Sequence, residues 1–222
     1  MLEDEDNKSQ VPEGEKKGLD RILAVSDGVF AFAITLLVLG LAVPTLSQGE
    51  SRTSINLLKA LSGEFPVFYS YLVSFSVISI WWTAHHRLFR SIVKYDLRLM
   101  WSNLFFLLFV TVIPFLTLLL DEYGDIQIAV VIYDLVQASG GFALSLIWHY
   151  VSINHRLISE SLTSAQIRQV RLRTYVPVIV FLLTAMVAFF IPEGIPPASA
   201  NFLLFLIIPL TRLVSRKVPT EE

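Results

Sequence analysis

Long apolar runs separated by short polar connections dominate the chain. A helix needs about 20 mostly apolar residues to cross the ~30 Å hydrocarbon core of a bilayer, and six segments approach that length. They are residues 22–44, 65–85, 101–120, 126–151, 175–191 and 198–214. The pattern therefore predicts an all-α, polytopic membrane protein with six transmembrane helices per subunit.

The basic residues favour one side of these predicted spans. Of the 17 Lys and Arg residues, 15 lie at the N-terminus, at the C-terminus, or in the connections that follow the second and fourth spans. Only Arg52 and Lys59 lie in a connection on the other side. Because short cytoplasmic connections carry the excess of Lys and Arg, both termini are predicted to be cytoplasmic. The regular alternation also supports the number of spans.

The two ends of the chain differ from the part between them. Residues 1–20 are polar and acidic and contain no apolar run, which predicts a disordered cytoplasmic tail and not a signal peptide. The six-helix transmembrane domain is predicted to cover residues 21–216. Residues 217–222 are predicted to form a cytoplasmic C-terminal tail.

Composition narrows the possible functions. With 54% hydrophobic and 16% charged residues, the chain is too apolar for an ordinary soluble domain. A net charge of −2 gives no reason to expect a nucleic-acid partner, and the absence of cysteine leaves no disulfide or thiolate site. The sequence has no Gly-rich phosphate loop, nucleophile elbow or HExxH motif, so neither an enzyme nor a cofactor is predicted. The adjacent His85 and His86 point about 100° apart on a helix, so a metal site is not predicted either.

A carboxylate lies inside the first predicted span, in the stretch RILAVSDGVFAFAITLLVLGL. An unpaired carboxylate at the depth of Asp27 costs roughly 2.5 kcal/mol or more, so a partner is expected. His85, His86 and Asn103 lie at a similar depth on the second and third spans. We therefore predict a cross-helix cluster of Ser26, Asp27, one of the two histidines, and Asn103. Such a cluster either clasps the helices together or forms a proton or cation site.

The first span also carries an apolar stripe. At roughly 100° per residue, Phe32, Leu36 and Leu39 share one narrow face with Thr35 on its flank, and Asp27 lies about 140° away. Either the stripe or Asp27 would face a pore, and periodicity alone does not choose between them. A second carboxylate, Asp134 in the fourth span, is expected either to pair across helices or to face water.

Two stretches resemble the prokaryotic branch of the transmembrane protein 175 family of potassium channels: RILAVSDGVFAFAITLLVL and WWTAHHRLFRSIVKYDLRLMWSNLFFLLFVTVIPF. The resemblance is close over the first three helices and rests mainly on hydropathy and topology over the last three. The family motif is Arg, three residues, an aromatic residue, then Ser-Asp, and Arg21, Ser26 and Asp27 match it. Val25 stands at the aromatic position, a departure that we expect to loosen the packing beside the motif.

The resemblance implies a potassium-permeable cation channel in a prokaryotic cell membrane, assembled as a homotetramer with the first helix of each subunit around a central pore. The expected partners are potassium ions and the lipid bilayer. The resemblance places a hydrophobic constriction at Phe32, Leu36 and Leu39, with the polar Thr35 beside the ion path. It assigns a structural role to Arg21, Ser26, Asp27, His85, His86 and Asn103.

Phe32 stands where the family usually has Leu or Ile. A ring of four phenyl groups would either seal the pore by dewetting or attract a cation with its ring faces. The sequence is also compatible with two alternatives to the channel. One is a proton-coupled secondary transporter that uses Asp27 or Asp134, and the other is a membrane enzyme that uses His85 and His86 as acid and base.

Overall fold

The structure is a computed structural model that describes residues 13–46, 49 and 51–216. In these residues, six helices are long and apolar enough to cross a membrane by length and composition, which confirms the predicted number of spans. Residues 1–12 of the tail predicted at residues 1–20, and all of the tail predicted at residues 217–222, lie outside the described residues.

The spans are formed as follows. Helix α1 covers Glu13–Leu37 and continues into a 3₁₀ turn at Val38–Gly40. The next four spans are single helices, namely α3 at Phe65–Phe89, α4 at Leu97–Tyr123, α5 at Gln127–Ser152 and α6 at Ser164–Phe190. The last span combines a 3₁₀ helix at Pro197–Leu206 with helix α7 at Ile207–Arg216. A short helix that the hydropathy pattern did not predict, α2 at Ser54–Gly63, precedes α3.

Two helices begin earlier than predicted. Helix α1 starts at Glu13, inside the segment assigned to the disordered tail, and Leu19 in its first turns is buried in the core. Helix α6 starts at Ser164 and not at Tyr175, because Thr163 and Gln166 form a reciprocal capping box that begins the helix. These polar helix ends extend beyond the apolar runs, which is why hydropathy alone missed them.

Helix α5 forms the centre of the bundle. It packs along α4 on one side and α6 on the other. Of an apolar stretch of 18 residues in each span, 61% is buried in α5 and 28% in α1. The close approach of α5 to α3 and α6 depends on Gly141, where an added Cβ would lie 2.6 Å from Trp81 of α3 and 2.8 Å from Val178 of α6. Helix α1 instead lies at the edge of the bundle, against α3 and α4. The last span packs on α6.

The connections that follow α3 and α5 meet at one end of the bundle. Ile92 and Ile158 form an isolated antiparallel bridge there. Asp96 caps α4 by accepting a hydrogen bond from the backbone N–H of Leu99 at 2.8 Å, and it also accepts one from the Tyr150 hydroxyl. These contacts fix the start of α4 relative to the end of α5.

Candidate pore-lining helix and its polar contacts

One face of α1 attaches the helix to the rest of its subunit. Ser26, Phe30, Ala33 and Leu37 are all buried, and they recur at the spacing of a single helical face. This face packs against α3 and α4. The remaining faces of α1 have little contact inside the subunit.

Three of the predicted polar residues form a buried chain across α1, α4 and α3. Asn103 Nδ2 donates to Ser26 Oγ at 2.9 Å, and Ser26 Oγ donates to the Ile22 carbonyl at 2.8 Å. At the other end, Asn103 Oδ1 lies 2.8 Å from His85 Nε2. An amide oxygen only accepts hydrogen bonds, so the proton of the His85 ring is on Nε2 in this arrangement. Asn103 therefore bridges the two neighbouring helices.

Aromatic rings surround the buried histidine. The His85 ring is 1% exposed and stacks on Phe89 and Phe106, with centroids 4.2 and 5.6 Å away. Phe30 of α1 approaches the same ring at 5.7 Å. This apolar surrounding makes the hydrogen bond to Asn103 the main polar contact of the imidazole, and it shields the ring from bulk water.

Asp27 does not join this chain, in contrast to the cluster predicted from depth alone. Its Oδ1 accepts a hydrogen bond from the indole N–H of Trp82 on α3 at 3.0 Å, and both side chains are exposed in the subunit. His86 stacks on Trp82 with centroids 5.7 Å apart and is likewise exposed. Neighbouring residues on a helix point about 100° apart, so Ser26 turns into the bundle while Asp27 turns along its surface.

The apolar stripe faces away from the subunit interior. Phe32 is 63% exposed and Leu39 is 77% exposed, while Leu36 is half-buried. The Thr35 hydroxyl is also exposed, and it donates to the Phe32 carbonyl at 2.8 Å. Because its proton is used within the helix, the Thr35 oxygen presents only acceptor lone pairs outward.

Arg21 and Val25 lie beside an opening between α1 and α4. They line a cavity of about 420 Å³ together with Tyr95, Met100 and Asn103. Val25 is 53% exposed. Packing beside the Ser-Asp motif is therefore open on the side where the family motif carries an aromatic residue.

A second polar group lies in the interior, nearer the other end of the bundle. Thr117 Oγ1 donates to Ser74 Oγ at 2.7 Å, and Ser74 Oγ lies 3.2 Å from the Tyr133 hydroxyl, which joins α4, α3 and α5. Next to Tyr133, Asp134 is buried, and neither of its carboxylate oxygens has a hydrogen-bond partner among the described residues.

Three residues of these contacts were not predicted from the sequence, namely Trp82, Ser74 and Thr117. Ser74 had a usable signal, because it precedes His85 by three helical turns and so shares its buried face. Trp82 had none, since its contact with Asp27 depends on how α1 and α3 cross. In the described part of the chain, no three His, Cys, Asp or Glu side chains come together as metal ligands would.

Known proteins share much of this chain. Residues 21–114 match the family model described as endosomal/lysosomal potassium channel TMEM175. A potassium channel of Streptomyces collinus is 34% identical over 173 residues, which cover 76% of this chain and 82% of that protein. The chain belongs to the TMEM175 family. Because this is a family of ion channels, the prediction that the protein is not an enzyme is confirmed.

Other TMEM175 proteins extend the comparison. The crystal structure described as a lysosomal potassium-selective channel TMEM175 homolog from Chamaesiphon minutus superposes with a TM-score of 0.62 at 28% identity, over 86% of this chain and 98% of that one. The human endosomal/lysosomal proton channel TMEM175 is 40% identical over 78 residues, which are 34% of this chain and 16% of the human protein. The chain is thus a multi-pass membrane protein with a TMEM175-like fold.

Proposed function

We propose that the protein is a potassium-permeable cation channel of a prokaryotic cell membrane, in which four copies place α1 around a central pore. Two TMEM175 proteins similar to it along most of its length are named or described as potassium channels. The observation that carries the proposal is the exposed apolar face of α1, which has no cover within the subunit. Around a four-fold axis, this face would be covered by its own copies.

The constriction follows from the residues on that face. Rings of Phe32, Leu36 and Leu39 from four subunits would narrow the pore with apolar side chains, and such constrictions close to ions by dewetting. Thr35, with its oxygen turned outward, supplies an acceptor to a partly dehydrated cation beside the constriction. The aromatic ring of Phe32 adds a face that attracts cations, which an aliphatic residue lacks.

The Ser-Asp motif acts behind the pore as an anchor in this proposal. Ser26 ties α1 to α4 through Asn103, and Asp27 ties it to α3 through Trp82. Together with the buried face of Phe30, Ala33 and Leu37, these hydrogen bonds fix the rotation of α1 and with it the direction of the stripe. Asp27 therefore holds the helix through its hydrogen bond to Trp82 and does not contact the ion.

The membrane orientation is part of the same proposal. The 15 Lys and Arg residues that favour one side are those that short cytoplasmic connections retain, which puts both termini in the cytoplasm. The channel domain then comprises residues 21–216. Ions enter from the cytoplasm at the Ser-Asp end of α1 and leave past Leu39.

Purified protein in a planar bilayer, with potassium on one side and sodium on the other, tests the proposal. We expect discrete openings that reverse towards the potassium equilibrium potential.

Phe32→Ala should widen the constriction, raise the single-channel conductance and reduce the discrimination between potassium and sodium. Phe190→Ala, which removes an exposed ring at the end of α6, is the matched control and should leave currents unchanged. Unaltered currents in Phe32→Ala would place the constriction elsewhere, and silent bilayers containing folded, inserted protein would overturn the channel itself.

One observation favours a second candidate function, proton-coupled transport. Both carboxylate oxygens of Asp134 are buried without a hydrogen-bond partner among the described residues, and ionisable groups inside membranes often mark proton paths. In this alternative, Asp134 would take up and release the proton, and Asp134→Asn would abolish saturable, proton-dependent flux without loss of assembly. The channel proposal expects Asp134→Asn to conduct potassium like the wild type. Flux of potassium and of protons into vesicles, measured in parallel, separates the two.

A further inference from the structure

A groove that neither the pore nor its polar contacts explain lies between α3, α6 and α7. Its volume is about 460 Å³. One part of its wall is basic, formed by Arg87, Arg173 and Arg212, one from each helix. The rest is largely apolar, with Phe75, Ile80 and other apolar residues and with hydroxyl groups between them.

The three guanidinium groups have no acidic partner in the groove. No Asp or Glu is among the lining residues, and none of the three arginines takes part in an ion pair among the residues that the structure describes. The Nε of Arg173 is buried and has no hydrogen-bond partner there. Three like charges gathered in one place repel each other, so the groove attracts an anion.

The depth of Arg173 limits what this anion can be. The residue lies nine positions after the start of α6 at Ser164, about 13–14 Å along the helix axis, and the apolar part of the span begins just after it. Arg173 therefore lies close to the boundary between the polar and hydrocarbon layers of a membrane. A guanidinium group binds phosphate oxygens through two parallel hydrogen bonds, and basic pockets between transmembrane helices are a known kind of headgroup site.

We propose that this groove binds an anionic phospholipid from the leaflet on the basic side of the protein. The headgroup phosphate lies among Arg87, Arg173 and Arg212, and an acyl chain lies along the apolar wall between α3 and α6. A phospholipid fits because it combines a phosphate with a long apolar chain, as the groove combines its two kinds of wall. The proposal depends on the chain spanning a membrane and not on the channel function.

Native mass spectrometry of the full-length protein in detergent, with phosphatidylglycerol added, provides the test. We expect bound phosphatidylglycerol to survive delipidation and phosphatidylcholine to be lost. Each of Arg87→Gln, Arg173→Gln and Arg212→Gln should weaken phosphatidylglycerol binding by about fivefold, the effect of one basic residue at a membrane surface. Arg168→Gln is the matched control, because it removes the same charge from an exposed position of α6 outside the groove. We expect its binding to equal that of the wild type.

Several outcomes would overturn the proposal. Equal retention of the two lipids, or equal weakening by Arg168→Gln and Arg173→Gln, would mean that the groove is not a headgroup site. Displacement of the lipid by millimolar inorganic phosphate would identify a free-anion site. A loss of oligomer mass in Arg173→Gln, with lipid binding unchanged, would identify a contact between copies of the chain. Phosphatidylglycerol binding that appears only after residues 217–222 are removed would assign the groove to this segment, which contains Glu221 and Glu222. If one arginine variant does not fold, the other two still decide.

Discussion

Ser26 and Asp27 are adjacent on α1 but have different partners. Ser26 is buried and bonded to Asn103, while Asp27 is exposed and bonded to Trp82. The two contacts reach α4 and α3 separately, so they oppose rotation of α1 in both directions. The Asp27 carboxylate is exposed and accepts a hydrogen bond from an indole N–H, so its charge is partly solvated. This lowers the free-energy cost of a charged group near a membrane interface.

The charge and the hydrogen bond of Asp27 are separable by mutation. Asp27→Asn keeps an oxygen that accepts the Trp82 indole N–H, so we expect nearly unchanged thermal stability and potassium currents. Trp82→Phe keeps an aromatic ring on His86 but removes the indole N–H that donates to Asp27. We expect the free energy of unfolding to fall by about 1 kcal/mol. The measurements are thermal stability in detergent and bilayer currents for both variants. If Asp27→Asn lost its currents at unchanged stability, the charge of Asp27 would act on the permeating ion. This result would contradict the proposal that Asp27 only anchors the helix.

The residues of this region show how far the sequence alone reaches. The buried chain of Ser26, Asn103 and His85 was predictable, because counting residues from the membrane surface puts all three at one depth and a buried polar group needs a partner. The separation of Asp27 from that chain was not predictable. It depends on the rotation of α1 against α3, which the packing of many side chains decides together.

Among the elements, α5 carries most of the internal packing. It lies between α4 and α6, and its glycines let those helices and Trp81 of α3 come close. The sequence contains a Ser-Gly-Gly step at residues 139–141 of this span, but it does not indicate which neighbouring helix the step contacts. Small residues at helix crossings allow the backbones to approach, which favours the van der Waals packing that helps helices associate within lipid.

This close crossing gives a stability prediction. Gly141→Ala would put a methyl group 2.6 Å from the Trp81 ring and 2.8 Å from the Val178 side chain, so these side chains or the helices that carry them must shift. We expect the free energy of unfolding to fall by roughly 1–3 kcal/mol, measured by denaturant unfolding in mixed micelles. Gly14→Ala is the control, because that helical glycine has open space around it and alanine favours the helix. Equal stability of the two variants would contradict the packing described for α5.

The ends of the elements were harder to predict than their centres. Apolar runs identify the part of a helix inside the hydrocarbon layer, and all six were found. The first turns of α6 are instead polar and are fixed by the capping box of Thr163 and Gln166. That box is visible in the sequence, but it competes with many similar Ser and Thr patterns in polar connections.

For the molecule as a whole, the proposed orientation is open to a direct test. The chain has no cysteine, so a single introduced cysteine is the only thiol. Glu193 and Glu160 are both exposed, in connections that the proposal puts on opposite sides of the membrane. A membrane-impermeant maleimide added to intact cells should label Glu193→Cys and spare Glu160→Cys until the cells are opened. If only Glu160→Cys were labelled in intact cells, the membrane orientation would be opposite to the proposed one.

Substitutions on the exposed face of α1 should affect the folding of the subunit less than substitutions in α5 do. Phe32 and Leu39 contribute little to the interior of their subunit, whereas Tyr133 and Trp148 are completely buried. A change at Phe32 is therefore expected to affect the proposed permeation path more than the folding of the subunit. Substitutions on this face can thus alter the proposed permeation path one residue at a time, while the packing around Tyr133 and Trp148 stays intact.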